Sequence, residues 1–142
     1  MSQHDANSSV LSPEMLQRLF ESARDVAKRA YAPYSNFHVG AAILTKEGRI
    51  IGGCNVENSS FGVTICAERT AATRAVASGL REWVAIAIVS PTGVSPCGAC
   101  RQFLAEFAPK LEVWFGHLDS NKSTVGPVSL EVLLPAAMKF QE

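Results

Sequence analysis

The stretch WVAIAIVS at residues 83–90 constrains the fold of this chain more than any other segment. It is almost continuously apolar, far too short to cross a membrane, and lacks the polar alternation of a strand with one wet face. A strand of this kind is buried on both sides, so helices must lie above and below the sheet that holds it. The remaining sequence supplies them. Ser12 followed by Pro13 reads as an N-cap with proline at the first helical position, and Leu16, Leu19, Phe20, Ala23, Val26, Ala27 and Ala30 then recur at helical spacing. APYSNF ends this helix, after which FHVGAAIL and RIIGGCNV read as strands joined across TKEG. A helix opened by Cys66 runs to about Ser78 and stops at Gly79. PTGVSP is a loop, CGACRQFLAEF a helix, LEVWFGHL a strand, and SLEVLLPAAM a short helix stopped at Pro135. The order ααββαβαβ(β)α, with one strand optional, predicts a mixed sheet between layers of helix in one α/β domain spanning 1–142. Residues 1 to about 11 are expected to form a flexible tail. A chain of 142 residues buries roughly 68–70% of its unfolded surface, enough for a core without staples.

Charge removes some classes of function. Lys+Arg and Asp+Glu both number 13, so no basic surplus exists to neutralise phosphates, and nucleic acid is not an expected partner. A compact neutral ligand fits better. The polar opening MSQHDANSSV carries no apolar signal core, and no later run approaches the roughly 20 apolar residues of a membrane helix. No membrane partner is expected, and the chain reads as soluble and cytoplasmic. Clustered thiols in such a chain point to metal or catalysis rather than to disulfides.

Within a helix, positions i and i+2 face apart, so Cys66 and Glu68 can share a site only at the start of their helix. There the free N–H groups and the macrodipole stabilise both a thiolate and a carboxylate. Cys97 and Cys100, at i and i+3, enter the next helix with their sulfurs on one face. A structural zinc site would need a fourth ligand, but His4, His38 and His117 are scattered. Three cysteines with the fourth position open match a catalytic zinc, and Glu68 becomes the base beside it. Two other readings stand beside this one. All four cysteines could be small buried apolar residues, or CGAC could be a redox pair, although neither explains Cys66 together with Glu68.

CAERTA and SPCGACRQ, preceded by GCNVEN and YAPYSNFHVGAA, resemble the cytidine deaminase family, from about Tyr31 to Pro135. A first ligand that is Cys66, where the larger dimeric branch has histidine, and the short chain resemble the small homotetrameric branch. The resemblance implies a three-layer α/β/α domain with a mixed central sheet of about five strands. It also implies one zinc per subunit on Cys66, Cys97 and Cys100, and a likeness to enzymes that deaminate cytidine and deoxycytidine in pyrimidine salvage. Glu68 would shuttle protons between water, ring N3 and the departing amine. The backbone N–H of Ala67 and the carbonyl of Ser95 resemble groups that touch the base. Arg69 resembles an arginine that hydrogen-bonds ligand sulfurs and offsets the net charge of three thiolates on a dication. Asn55 and Glu57, on one face if CNVEN is a strand, would hold a sugar 3′-hydroxyl, Asn as donor and Glu as acceptor. Glu57 separates the chain from blasticidin S deaminases, and Phe37 resembles a phenylalanine packed on the pyrimidine. Cys54 is expected to be a small buried residue.

Two positions depart from the family pattern. Phe61 stands where tyrosine is usual, and Met138, followed by Phe140, stands where a neighbour's phenylalanine usually covers the base. The small residues of TAATRAVASG suit either a tetramer core or packing on the chain's own sheet. A non-catalytic zinc domain, or a deaminase of another aminopyrimidine, remains the alternative function.

Overall fold

A computed structural model describes residues 9–140. The elements are α1 (Pro13–Ala27), β1 (Gly40–Thr45), β2 (Ile50–Cys54), α2 (Ala67–Ala77), β3 (Trp83–Ser90), α3 (Gly98–Phe107), β4 (Glu112–His117), β5 (Val125–Ser129) and α4 (Leu130–Leu133). One helix, not two, precedes the hairpin, because Tyr31–Phe37 forms turns and an isolated bridge rather than helix. The optional strand is present as β5. Most of the expected flexible tail lies outside the described residues. Its last part is tied down: the Glu112 carboxylate accepts the Ser9 hydroxyl and, at 3.1 Å, the Val10 N–H.

The sheet has the order β2-β1-β3-β4-β5. The β3–β4 pair is parallel and the others are antiparallel, so the sheet is mixed as expected. Alternation along the central strands divides the core into two layers. Ala42, Leu44, Ala85, Ala87 and Val89 meet Leu19, Phe20 and Ala23 of α1 on one face. Ala41, Ile43, Ile86 and Ile88 meet α2 and α3 on the other. β3 is therefore covered on both sides, which explains its unbroken apolar run. The small residues of α2 pack inward: Ala67, Ala71, Ala72 and Ala75 are fully buried in the core against this chain's own sheet.

Local signals set several boundaries. Ser12 Oγ accepts the Met15 N–H at 3.1 Å, as expected of an N-cap before Pro13. β1 begins three residues later than FHVGAAIL suggests, because the Asn55 side chain occupies the backbone there. Its Oδ1 accepts from Val39 N–H at 2.9 Å and its Nδ2 donates to Phe37 O at 2.8 Å.

Two glycines allow the helices to approach the sheet. A Cβ on Gly40 would stand 1.9 Å from Ala23 O of α1, and one on Gly53 would stand 2.3 Å from Ala71 N of α2. Both obstacles are backbone, which cannot rotate aside. Gly53→Ala is expected to lower unfolding stability by about 3 kcal/mol, the upper range for overpacking, measured as the urea midpoint at unchanged m. A wild-type midpoint would show that α2 shifts without cost.

Candidate active site

Cys66 and Cys97 are the N-cap residues of α2 and α3, and neither side chain caps its own helix. Both sulfurs are therefore free at the positive ends of helices of 11 and 10 residues. The two helices pack on the same face of the sheet, which brings their starts together. Cys66 Sγ lies 3.9 Å from Cys97 Sγ, and the sulfurs of Cys66, Cys97 and Cys100 all lie within 4.8 Å of one another. Tetrahedral zinc with bonds of about 2.3 Å holds its sulfurs about 3.8 Å apart, so the cluster fits that ion. The packing explanation of the cysteines fails at Cys97, which is exposed, while Cys100 is fully buried. Cys54 is only half-buried and takes no part in the cluster, contrary to the expectation that it is buried.

The protons are distributed unevenly over this cluster. The Cys100 thiol donates to Cys66 and Arg69 bonds to it, which together hold Cys66 below the usual thiol range. Its bond to Cys66, with burial, pushes Cys100 far above that range. Arg69 Nη2 donates to Cys66 Sγ at 3.4 Å and to Thr64 O at 3.5 Å. The sulfur bonds raise the Arg69 pKa further. A cation beside the sulfurs lowers the cost of gathering thiolates on one ion. Arg69→Gln is expected to keep the fold and release zinc to a chelator at 10–100-fold lower chelator concentration, about the range for partners of metal ligands. Unchanged retention would remove Arg69 from the centre.

Glu68, in the first turn of α2, is only 5% exposed. Burial pushes its carboxyl up to about 7, Cys66 adds to the rise, and its own backbone N–H and Arg69 oppose it. A carboxyl poised near neutrality can both take and give a proton.

These groups border a cavity of about 230 Å³ lined by Phe37, Asn55, Cys66, Ala67, Glu68, Ser95 and Cys97, with Val39, Thr64, Ile88 and Val94. Larger, more open hollows of 630 and 490 Å³ lie along α1 and at the start of β3 and β4, but neither contains a thiol. Of the residues singled out in the sequence, Cys100, Arg69 and Glu57 lie outside the lining, although Cys100 belongs to the sulfur cluster and Arg69 donates to it. Glu57 Oε1 accepts from Tyr34 N–H at 3.0 Å and Ser35 N–H at 3.2 Å, and its other oxygen takes the Ser35 hydroxyl. Those bonds, led by Ser35, hold its pKa below the usual carboxylate value. β2 ends at Cys54, so Asn55 and Glu57 are not successive outward residues of a strand. Both instead brace the 34–39 segment that carries Phe37. Val39, Thr64, Ile88 and Val94 carried no sequence signal as lining residues. Ser35, in YAPYSNFHVGAA, and Arg101, in SPCGACRQ, lie inside the motifs that carry the family resemblance, but nothing in their spacing names their partners.

Phe61 is 74% exposed in a short 3₁₀ turn, with its ring 6.1 Å from that of Tyr34. Met138 and Phe140 are also exposed, and the Met138 carbonyl accepts from Gln102 Nε2 at 3.2 Å.

Residues 13–116 match the family described as the cytidine and deoxycytidylate deaminase zinc-binding region. The chain is 44% identical over 129 residues to the cytidine deaminase of Halalkalibacterium halodurans, covering 89% of this chain and 96% of that one. It superposes on the crystal structure of cytidine deaminase from Burkholderia pseudomallei with a TM-score of 0.79 and 45% identity, covering 86% of this chain and 98% of that one. The blasticidin-S deaminase of Bacillus cereus is more distant, 36% identical over 108 residues, covering 69% of this chain and 74% of that one.

Proposed function

The chain belongs to the cytidine and deoxycytidylate deaminase family, and from that footing we propose that it is a cytidine deaminase. It hydrolyses cytidine and deoxycytidine to uridine and deoxyuridine, releasing ammonia, in pyrimidine salvage. The observation that carries this reading is a cluster of three thiols, two of which line the same cavity as a buried carboxyl of raised pKa.

Cys66, Cys97 and Cys100 would hold one zinc ion, which when bound supplies a Lewis acid that lets water act as a nucleophile at neutral pH. Glu68 takes a proton from the attacking water and passes it to ring N3 as oxygen joins C4. A second proton, also carried by Glu68, goes to the amine, which leaves as ammonia while the C4 carbonyl forms. Ala67 and Ser95 border the base, and Phe37 offers its ring to the pyrimidine face. Asn55 uses one of two N–H groups and one of two lone pairs of its amide on the 34–39 segment, so one of each remains for a sugar hydroxyl. Glu57 accepts three hydrogen bonds from that segment, which leaves acceptor capacity on its carboxylate for the same hydroxyl. A carboxylate there would repel a 3′-phosphate, in keeping with the zero net charge and against nucleic acid as substrate.

Among the described residues no helix is long and apolar enough to cross a membrane. We take the protein to be a cytoplasmic homotetramer with shared sites. Support comes from the exposed apolar residues Phe61, Val63 and Ile65 in the loop leading to Cys66, since surface clusters of this kind mark association.

The test is zinc per chain together with ammonia released from cytidine, deoxycytidine and blasticidin S. Zinc near one per chain with release from the two nucleosides supports the reading. Release from blasticidin S alone would transfer the chain to that activity, and zinc without any release would leave a non-catalytic metal domain.

A further inference from the structure

Arg101 lies in the first turn of α3, directly after the buried ligand Cys100, and its side chain turns back on the segment that leads into the helix. Nε donates to Pro96 O at 2.8 Å, Nη2 to Ser95 Oγ at 3.1 Å, and Nη1 to Leu133 O of α4 at 2.8 Å. Its backbone N–H bonds Cys97 O at 3.0 Å. The side chain thus fixes Ser95 and Pro96, while the Cys97 bond is the first backbone bond of the helix itself. The earlier half of the same loop is held separately, by Ser90 Oγ accepting from Gly93 and Val94 N–H at 2.8 and 3.1 Å. Among the described residues, the other hydrogen bond reaching 95–97 is the Cys66 contact at the Cys97 sulfur.

The segment therefore depends on Arg101 for its position. It carries a residue that borders the base cavity and the exposed thiol of the metal cluster. Leu133 O is a terminal helix carbonyl with no partner inside its own helix, so it offers a fixed anchor. Only a planar fork reaches three acceptors on two elements in one geometry, and an ammonium on a flexible stem does not.

We propose that Arg101 is a positioning residue of the deaminase centre: its guanidinium locks Ser95 and Pro96 against the end of α4, so that the thiol of the next residue, Cys97, stands where the other two can share an ion with it. The inference rests on the metal reading of the cluster and assigns Arg101 no contact with substrate. A residue that only tied α4 to α3 would change global stability alone.

The test uses the full chain with Arg101→Gln, Arg101→Lys, Ser95→Ala and the double variant Arg101→Gln with Ser95→Ala. The readouts are zinc retained against a chelator, the thiolate absorption bands of the cobalt(II)-loaded protein, KM and kcat for cytidine, and the thermal midpoint of the metal-free protein. Arg101→Gln is expected to lose zinc at 10–100-fold lower chelator concentration, with shifted cobalt bands and a raised KM, about the size found for partners of metal ligands. Arg101→Lys should fall between it and wild type. Ser95→Ala removes one acceptor of the fork, so its few-fold effect on zinc retention should add nothing to Arg101→Gln. Wild-type zinc retention and cobalt bands in a folded Arg101→Gln overturn the proposal, as do losses that merely track the metal-free midpoint across the series. If Arg101→Gln does not fold, Arg101→Lys decides: wild-type retention overturns the proposal and intermediate retention upholds it. If wild type binds zinc but leaves cytidine intact, the cytidine assignment fails, while zinc retention and the cobalt bands still decide the role of Arg101.

Discussion

Replacing Glu68 with glutamine is expected to lower kcat for cytidine by about 10⁴-fold while zinc stays bound. Glutamine keeps the shape of the side chain but cannot take a proton from water or return one to the amine. General acid–base catalysis contributes about 10²–10⁴-fold, and a group used for successive transfers belongs near the upper end. Zinc analysis and ammonia release on the same sample check this, and a variant retaining a tenth of the wild-type rate would remove Glu68 from the proton path. The same substitution has a pH signature in the metal-free protein. Burial raises the Glu68 carboxyl from 4.5 to about 7, so the folded state binds this proton more tightly than the unfolded state does. That stabilisation is fully present below about pH 4.5 and is lost as pH rises through about 7, for a total of about 3 kcal/mol. Metal-free Glu68→Gln should therefore match wild type near pH 4.5 and exceed it in thermal midpoint at pH 8.

Cys97→Ala is expected to leave less than a tenth of an equivalent of zinc per chain after dialysis and to abolish ammonia release. Two thiols cannot close a tetrahedral site built for three, and metal affinity depends on the full set of ligands. This position separates metal binding from packing better than Cys100 does. Cys97 is exposed, so truncation opens no cavity and the fold should survive, whereas Cys100 is fully buried and its loss would confound the two effects. Full zinc and full rate in Cys97→Ala would show that the cluster holds no functional ion.

Much of this centre was legible in the chain because its signals are local. Ser12 and Pro13 mark the start of α1, and the apolar run 83–90 coincides with β3. Cys66 and Cys97 precede their helices by one residue, as an N-cap does. Periodicity and capping depend on neighbours within about four positions, so sequence spacing determines them.

The sequence by itself thus determined most of the elements, the mixed α/β class, the thiols at two helix starts and the carboxyl two residues after the first. What only the tertiary structure decided is which of these groups meet and in what surroundings. Cys66 and Cys97 are 31 positions apart, and their 3.9 Å contact exists because α2 and α3 share one face of the sheet. Asn55 and Glu57, expected on a strand, turn out to brace the segment bearing Phe37, and Arg101 finds its acceptors on two separate elements. The 5% exposure of Glu68, from which its raised pKa follows, is likewise set by chain packed around it from elsewhere in the sequence. Desolvation and hydrogen-bond partnership depend on what is near in space, and spacing along a chain carries no information about that once the separation exceeds a helical turn.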